Sequence, residues 1–240
     1  MQILSRVQFG SLEHLLPIVV AVILCWFLFY QIKTQSDHLK FKVFKGLGIF
    51  VSGFMAIFHL YKIGQGGYSL QTDLPLFLCS FMALFIFIFT LTRRFLLFEI
   101  LFFWTIVGTS QGVITPDIEV GFPSYDYVRY WIVHLGLLTI IAYAIVVLKM
   151  RPKFKSVFKS FVVLQVYVLI IMVINYLLDA NYSYLNNKPL SGSVLDLLGD
   201  WPNYVIVVQL ALLPLFLLIY LPFFWSNKYY KTKNNNNNIY

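Results

Sequence analysis

Residues 74–92 read LPLFLCSFMALFIFIFTLT, nineteen positions without a charge. At ~1.5 Å per residue a helix of that length rises ~28 Å, close to the ~30 Å of hydrocarbon in a bilayer. A spanning β-strand would alternate apolar and polar residues with period two, and this run does not, so it reads as a membrane helix. Six further runs of similar hydropathy lie at 15–32, 44–62, 95–114, 128–149, 157–178 and 203–225, and span 18 to 23 residues. Across all 240 residues, 60% are hydrophobic and 12% charged, where soluble domains are nearer 45–50% apolar and about 25% charged. A mean hydropathy of +0.77 leaves no room for a sizeable water-exposed domain. The composition excludes a soluble enzyme and predicts an all-α, polytopic bundle of seven transmembrane helices.

The formal charge of +8 is distributed in a way that sets a direction. Fourteen of the 18 Lys and Arg fall in 33–45, 93–94, 149–159 and 228–233, all on one side of a seven-span chain. Arg6, Lys62, Arg129 and Lys188 fall on the other. Cytoplasmic loops carry the basic excess, so an N-out, C-in topology in the cell membrane is expected, and the charge is an orientation signal rather than a mark of nucleic-acid binding. The first run lacks a small-residue cleavage site and is followed by basic residues, so it is read as a retained span. Residues 1–227 form the expected transmembrane domain. The Asn-rich tail 228–240 is expected to be disordered and cytoplasmic. The longest loop, 179–202, lies outside in this topology and is long enough for a lid.

Polar side chains at membrane depth are functional candidates by default. Cys79 lies five residues below the outer end of its run and His134 six below the outer end of its own, depths of ~7.5 and ~9 Å. His59 and His14 lie near the same level, with Gln111 and Asp117 after the fourth run and Asn175 and Asn181 around the end of the sixth. A thiol in apolar surroundings needs a base to take its proton, and His134 is the best placed by depth. Cysteine with histidine suits acyl transfer through a thioester, with His59, Gln111 or Asn181 as donors to an oxyanion and Asp117 orienting an imidazole. Cys25, in the middle of its run without polar company, reads as packing. Tyr130 and Trp131 read as residues of the interfacial aromatic belt.

Five elements carry a family likeness: Leu74-Pro75 with Cys79, the string from Gln111 to Asp117, Phe122-Pro123-Ser124 with His134, Asn181-Tyr182-Ser183 with Lys188-Pro189, and Trp201-Pro202. In this order over roughly residues 10 to 225 the chain resembles the YwaF-like bacterial integral membrane proteins, a group similar to the vertebrate transmembrane protein 164 family. The resemblance implies an acyltransferase in which the cysteine of the Leu-Pro element accepts the acyl group and the later histidine assists. Cys79 and His134 stand at those positions. The substrate so implied is a membrane phospholipid or lysophospholipid, with no cofactor and no metal.

Two other readings compete with the acyltransferase. A seven-helix sensor or transporter would bind a lipid or other ligand in the same polar cluster without reacting; the lack of a detectable internal repeat and the scarcity of paired intramembrane charges weigh against a transporter. A metal or haem site could draw on His14, His59 and His134, although no two of them share a helix at ligand spacing. A retinal protein is excluded because 203–225 contains no lysine.

Overall fold

A computed structural model describes residues 6–237, with side-chain surroundings through 226. Seven helices make up the fold: α1 (Leu12–Ile32), α2 (Asp37–Gly64), α3 (Leu78–Thr92), α4 (Phe95–Ile114), α5 (Tyr125–Val146), α6 (Phe154–Leu178) and α7 (Asn203–Asn237). Among the described residues there is no strand. Six of the helices are long and apolar enough to cross a membrane, and α3, at 15 residues, is the exception. The disordered tail expected over 228–240 falls on positions whose side chains, and at 238–240 whose backbone, lie outside the described residues.

The shortness of α3 has a local cause. Pro75 offers no N–H, and a proline biases the residue before it away from helical geometry, so the helix expected from Leu74 starts only at Leu78. The bypassed backbone is not left bare. Leu74 N–H donates to the Tyr182 hydroxyl at 2.9 Å, and Leu76 C=O accepts from the hydroxyls of Tyr167 at 2.8 Å and Ser183 at 3.3 Å. Tyr182 is itself fixed by the fully buried Asn175 amide, which donates to its C=O at 3.0 Å and accepts from its N–H at 2.8 Å. Asn175 therefore serves the chain's architecture, one side chain satisfying two main-chain groups.

Serine caps start α1, α2 and α5: Ser11, Ser36 and Ser124 accept from the N–H groups of His14, Leu39 and Tyr127. α5 is the central helix, with half of its most apolar window buried against 6% for α1. α1 exposes Val20, Ile23, Leu24 and Phe27, which is what a helix facing lipid does. The packed faces use small residues to bring backbones together. A Cβ at Gly48 would fall 1.9 Å from Thr90 Oγ1 of α3, and one at Gly136 would fall 2.6 Å from Val51 of α2. Ser52 of α2 inserts its hydroxyl into α3, donating to Ala83 C=O at 2.8 Å while Phe87 N–H donates to it at 3.1 Å.

At the end of the bundle away from Cys79, Glu99 of α4 is 1% exposed. It accepts from Ser156 Oγ at 2.6 Å and from Lys159 Nζ at 2.9 Å, both on α6, and Ser156 Oγ accepts in turn from Lys153 N–H at 2.8 Å. Lys159 is half exposed, so its ammonium keeps water while its stem covers apolar surface. Removing the carboxylate leaves Ser156 and Lys159 without their shared acceptor. Glu99→Ala is expected to lower stability by about 2 kcal/mol, read as a drop in thermal midpoint of the detergent-solubilised protein. Glu99→Gln, which retains an acceptor for Ser156, should lose less, and midpoints equal to the parent in both variants would show that this junction carries no stability.

Candidate active site

The late start of α3 places Cys79 in its first turn, at the bundle end shared by the close of α4 and the start of α5. Its thiol donates to Thr109 Oγ1 at 3.6 Å. Thr109 is fully buried and closes a π-helical turn, Thr105–Thr109, inside α4. One extra residue in a turn rotates everything beyond it, and such turns recur at functional sites. Here the polar Gly108–Gly112 stretch continues as helix to Ile114, the end expected from hydropathy, with Thr109 bonded to α3. One turn on, Gly112 meets α5. A Cβ there would fall 2.7 Å from His134 Cδ2 and Nε2 and 3.1 Å from the Tyr130 hydroxyl, so only glycine admits the imidazole so close to α4.

His134 Nδ1 is 2.8 Å from the C=O of Tyr130, one turn earlier in α5. A carbonyl only accepts, so Nδ1 carries the proton and Nε2 keeps its lone pair, the form a general base requires. The Tyr130 ring stacks on His134 with centroids 4.0 Å apart. Its hydroxyl donates to Gly112 C=O at 2.8 Å and accepts from Asp117 N–H at 3.3 Å. Thiol and imidazole thus flank one stretch of α4, from α3 and α5 respectively. They do not bond to each other, since the thiol is spent on Thr109.

Asp117 joins three parts of the chain: its carboxylate accepts from Arg6 and, at 2.9 Å, from the Tyr184 hydroxyl, while its N–H reaches Tyr130. Burial first, and then the Asp117 carboxylate, holds the Tyr184 phenol far above its ordinary range, so it stays a donor. Ser183 and Tyr184 both sit at positive φ, +58° and +54°, a conformation costly for such residues that seats Tyr184 over this end of the bundle. His14 is buried beside the same site. It accepts from Gly10 N–H on Nδ1 at 2.9 Å and so donates from Nε2 to Val113 C=O at 2.8 Å, which makes it a clamp between the N-terminal segment and α4.

The remaining candidates lie elsewhere. His59, near the end of α2, donates from Nδ1 to the Tyr68 hydroxyl at 3.1 Å, and that hydroxyl donates to Asp73 C=O at 2.8 Å. His59 Nε2 is buried without a partner among the described residues. Burial pushes the neighbouring Asp73 carboxyl up, but hydrogen bonds from Lys62 and the Ser69 N–H outweigh it and hold the group below its ordinary value. Gln111 is exposed. Asn181 folds its own loop, accepting from the N–H groups of Asn186 and Asn187 at 3.0 Å each. Cys25 pairs with Thr139 Oγ1 at 3.0 Å between α1 and α5, consistent with packing.

Sequence reading missed Thr109, Tyr184 and Arg6, and assigned Tyr130 and Trp131 to the interfacial belt. Both are buried, 8% and 4% exposed. A signal for Tyr130 was present, because it lies four residues before His134 and so shares its helix face. Among the described residues no three His, Cys, Asp or Glu side chains converge as metal ligands, and His14 and His59 each already serve local hydrogen bonds.

Compared with known proteins, the chain matches the family model of the TMEM164 family over residues 8–220, a stretch that contains Cys79, Thr109, Tyr130 and His134. No curated protein and no solved structure matches it.

Thr109 is the one hydroxyl bonded to the thiol, and by rotating its proton it can donate to a thiolate. Hydrogen bonds to charged groups contribute about 1.5–3 kcal/mol, so removing this one should slow reaction at sulfur by roughly tenfold or more. In a Cys25→Ala background, Thr109→Val is expected to depress the rate of Cys79 alkylation at fixed pH by that factor, and Thr109→Ser to restore it. Equal rates in all three proteins would remove Thr109 from any role in activating the thiol.

Proposed function

This chain belongs to the TMEM164 family, and on that premise we propose that it is a membrane-embedded acyltransferase that moves a fatty acyl group from a phospholipid through a thioester on Cys79, with His134 as the base. The observation that carries this reading is the tautomer of His134. Its Nδ1–H is committed to Tyr130 C=O, which leaves the Nε2 lone pair beside Gly112 on the α4 segment that also contacts the Cys79 thiol.

The steps balance as follows. The thiol turns from Thr109 and gives its proton to His134 Nε2. The thiolate attacks the ester carbonyl of a phospholipid, and the S–C bond forms as the C–O bond breaks. The departing lysophospholipid oxygen takes the proton back from the imidazolium. In the second half the hydroxyl of a lysophospholipid, or a water in a hydrolytic variant, loses its proton to His134 and attacks the thioester; sulfur leaves as thiolate and is reprotonated. Tyr130 serves as the positioning residue, stacked on the imidazole and fixing its tautomer. Gln111 and Asn181 are poorly placed to serve an oxyanion, whereas Asp117 acts on the imidazole only through Tyr130.

All seven helices cross the bilayer in this proposal, with the Cys79 end outside. The 15 residues of α3 rise about 22 Å, and the turn at 74–77, in which Leu76 N–H donates to Leu74 C=O at 2.7 Å, completes its path at the Cys79 end. The four cations at the Cys79 end are all paired: Arg6 with Asp117, Lys62 with Asp73, Arg129 with Asp126 and Lys188 with Asp200. With Glu13, Asp73, Asp117, Glu119, Asp126, Asp179, Asp196 and Asp200 against those four cations, that end is net negative, so the basic excess lies at the Glu99 end, which supports placing the Glu99 end in the cytoplasm.

A second reading, a sensor that binds a lipid without reacting, is favoured by one observation, the bonding of the thiol to Thr109 rather than to His134. Intact mass spectrometry of the purified protein after incubation with mixed phospholipids separates the two. Acyl transfer predicts a fatty-acyl increment that hydroxylamine removes, that Cys79→Ala lacks, and that His134→Ala acquires at least about a hundredfold more slowly. An unmodified parent, under conditions in which a known thioester enzyme is loaded, would favour the sensor, as would a His134→Ala variant loaded at the parental rate.

A further inference from the structure

A cleft of about 540 Å³ opens at the Cys79 end, bounded by residues 6–9 of the N-terminal segment, 115–116 after α4 and 190–192 of the loop before α7. Its size lies within the ~300–1,000 Å³ of small-molecule sites. The walls are mixed: Val7, Phe9, Pro116 and Leu190 are apolar, and Arg6, Gln8 and Ser191 are polar. The cleft is tied to the candidate active site by covalent and hydrogen bonds. Val7 N–H donates to Ile118 C=O at 3.1 Å, which pins the Arg6 segment to the turn that carries Asp117. Asp117 N–H reaches the Tyr130 hydroxyl, and Tyr130 is stacked on His134.

Two polar residues that line this cleft are under-used. A guanidinium offers five N–H donors in a planar fork, and Arg6 spends one nitrogen, Nη1, on Asp117 among the described residues. Across the cleft the Ser191 hydroxyl is buried with no hydrogen-bond partner among them. Leaving a shielded hydroxyl unpaired is costly, and a cation with spare parallel donors beside it matches the oxygens of a phosphate better than any neutral group. Asp117 repels such a ligand less than a free carboxylate would, because Arg6 balances its charge and the Tyr184 hydroxyl occupies its second oxygen.

We propose that this cleft is a phosphate-binding subsite, with Arg6 as its cation and Ser191 as a hydroxyl donor, and that it takes the phosphodiester of the lipid whose acyl group is transferred. The choice of a lipid as the source of the phosphate rests on the acyltransferase reading. In a glycerophospholipid the ester carbonyls lie only a few bonds from phosphorus, so a head group anchored at Arg6 holds its ester near the end of α4, where Thr109 and Gly112 separate thiol from imidazole. A free lysophospholipid acceptor carries the same phosphate and would be held in the same way.

The test is equilibrium binding to the full chain carrying Cys79→Ala, in a phosphate-free maltoside detergent, so that no chemistry intervenes. The probes are dihexanoyl-phosphatidylcholine, dihexanoylglycerol and inorganic phosphate. Arg6→Gln is expected to weaken the phospholipid by about tenfold while leaving dihexanoylglycerol unchanged, and Ser191→Ala to weaken it by about threefold. Arg6→Lys, which keeps the charge and loses the fork, should fall between parent and Arg6→Gln, and it carries the test if the glutamine variant does not fold. Inorganic phosphate that fails to displace the phospholipid at millimolar concentration assigns the site to lipid; displacement with the same dependence on Arg6 keeps the anion site and assigns it to soluble phosphate. Phospholipid affinity equal to the parent in both Arg6 variants overturns the proposal. Arg6-dependent binding in a protein whose Cys79 never acquires an acyl group would sink the acyltransferase reading and leave this subsite standing.

Discussion

In hydrocarbon no water is available to pair a main-chain N–H or C=O, so a helix can break there only where other protein groups take over its hydrogen bonds. The break at Pro75 is the point on which the Cys79 end of this bundle depends. Tyr182, Tyr167 and Ser183 pair the exposed backbone of 74–77, and Asn175 locks Tyr182 in turn. These groups come from α6 and the loop that follows it, so the start of α3 is set by residues about a hundred positions away. Without that support α3 would have to begin earlier or the segment would leave the membrane, and Cys79 would no longer lie in a first turn beside the end of α4.

The same end shows how α4 acts as a partition. Its π turn presents Thr109 to α3, and the absence of a Cβ at Gly112 lets α5 press an imidazole against the next turn. Neither contact would exist on a regular helix with larger residues. Tyr130 completes the wall, one face on His134 and its hydroxyl between Gly112 and Asp117, so its side chain fixes the ring orientation and the loop after α4 while its backbone C=O fixes the tautomer. The strained pair Ser183 and Tyr184 closes over it, and the free energy stored there is compensated by the Tyr184–Asp117 bond and by Ser183 on Leu76.

Much of this was legible in the chain and some was not, for identifiable reasons. Six of the seven spans follow from hydropathy and length, whereas the depth counted for Cys79 assumed a helix from Leu74 and the helix starts at Leu78. Pro75 was visible too, but it restricts only Leu74 and is itself tolerated at a first helical position, so the start at Leu78 depended on the distant partners of 74–77 and was not readable. The role of Thr109 was not readable, because a π turn has no residue signature and it alone decides which way the threonine points. Gln111 and Asn181 were selected for residue type and level, but level says nothing of rotation about a helix axis or of a loop's own hydrogen bonds. Arg6 escaped notice because it precedes the first span, and only the tertiary pairing of Val7 with Ile118 brings it to Asp117.

The charges divide between the two ends in a way that bears on both orientation and chemistry. At the Cys79 end the carboxylates of Asp73, Asp117, Asp126 and Asp200 each hold one cation, while Glu13, Glu119, Asp179 and Asp196 hold none among the described residues, so that end combines local dipoles with a net negative charge. Such pairs are screened at the surface and contribute little to stability one by one. Their effect at this site is on selectivity. An unpaired basic patch would draw any polyanion, whereas a guanidinium already neutralised on one side offers an anion only its remaining donors, and discriminates by shape and hydrogen bonding more than by net charge. At the Glu99 end the opposite holds, because most of the lysines and arginines there have no carboxylate partner among the described residues and add up to one positive field. One chain thus carries a diffuse positive field at one end and a set of neutralised, geometrically specific pairs at the other, and the nucleophile candidate lies with the latter.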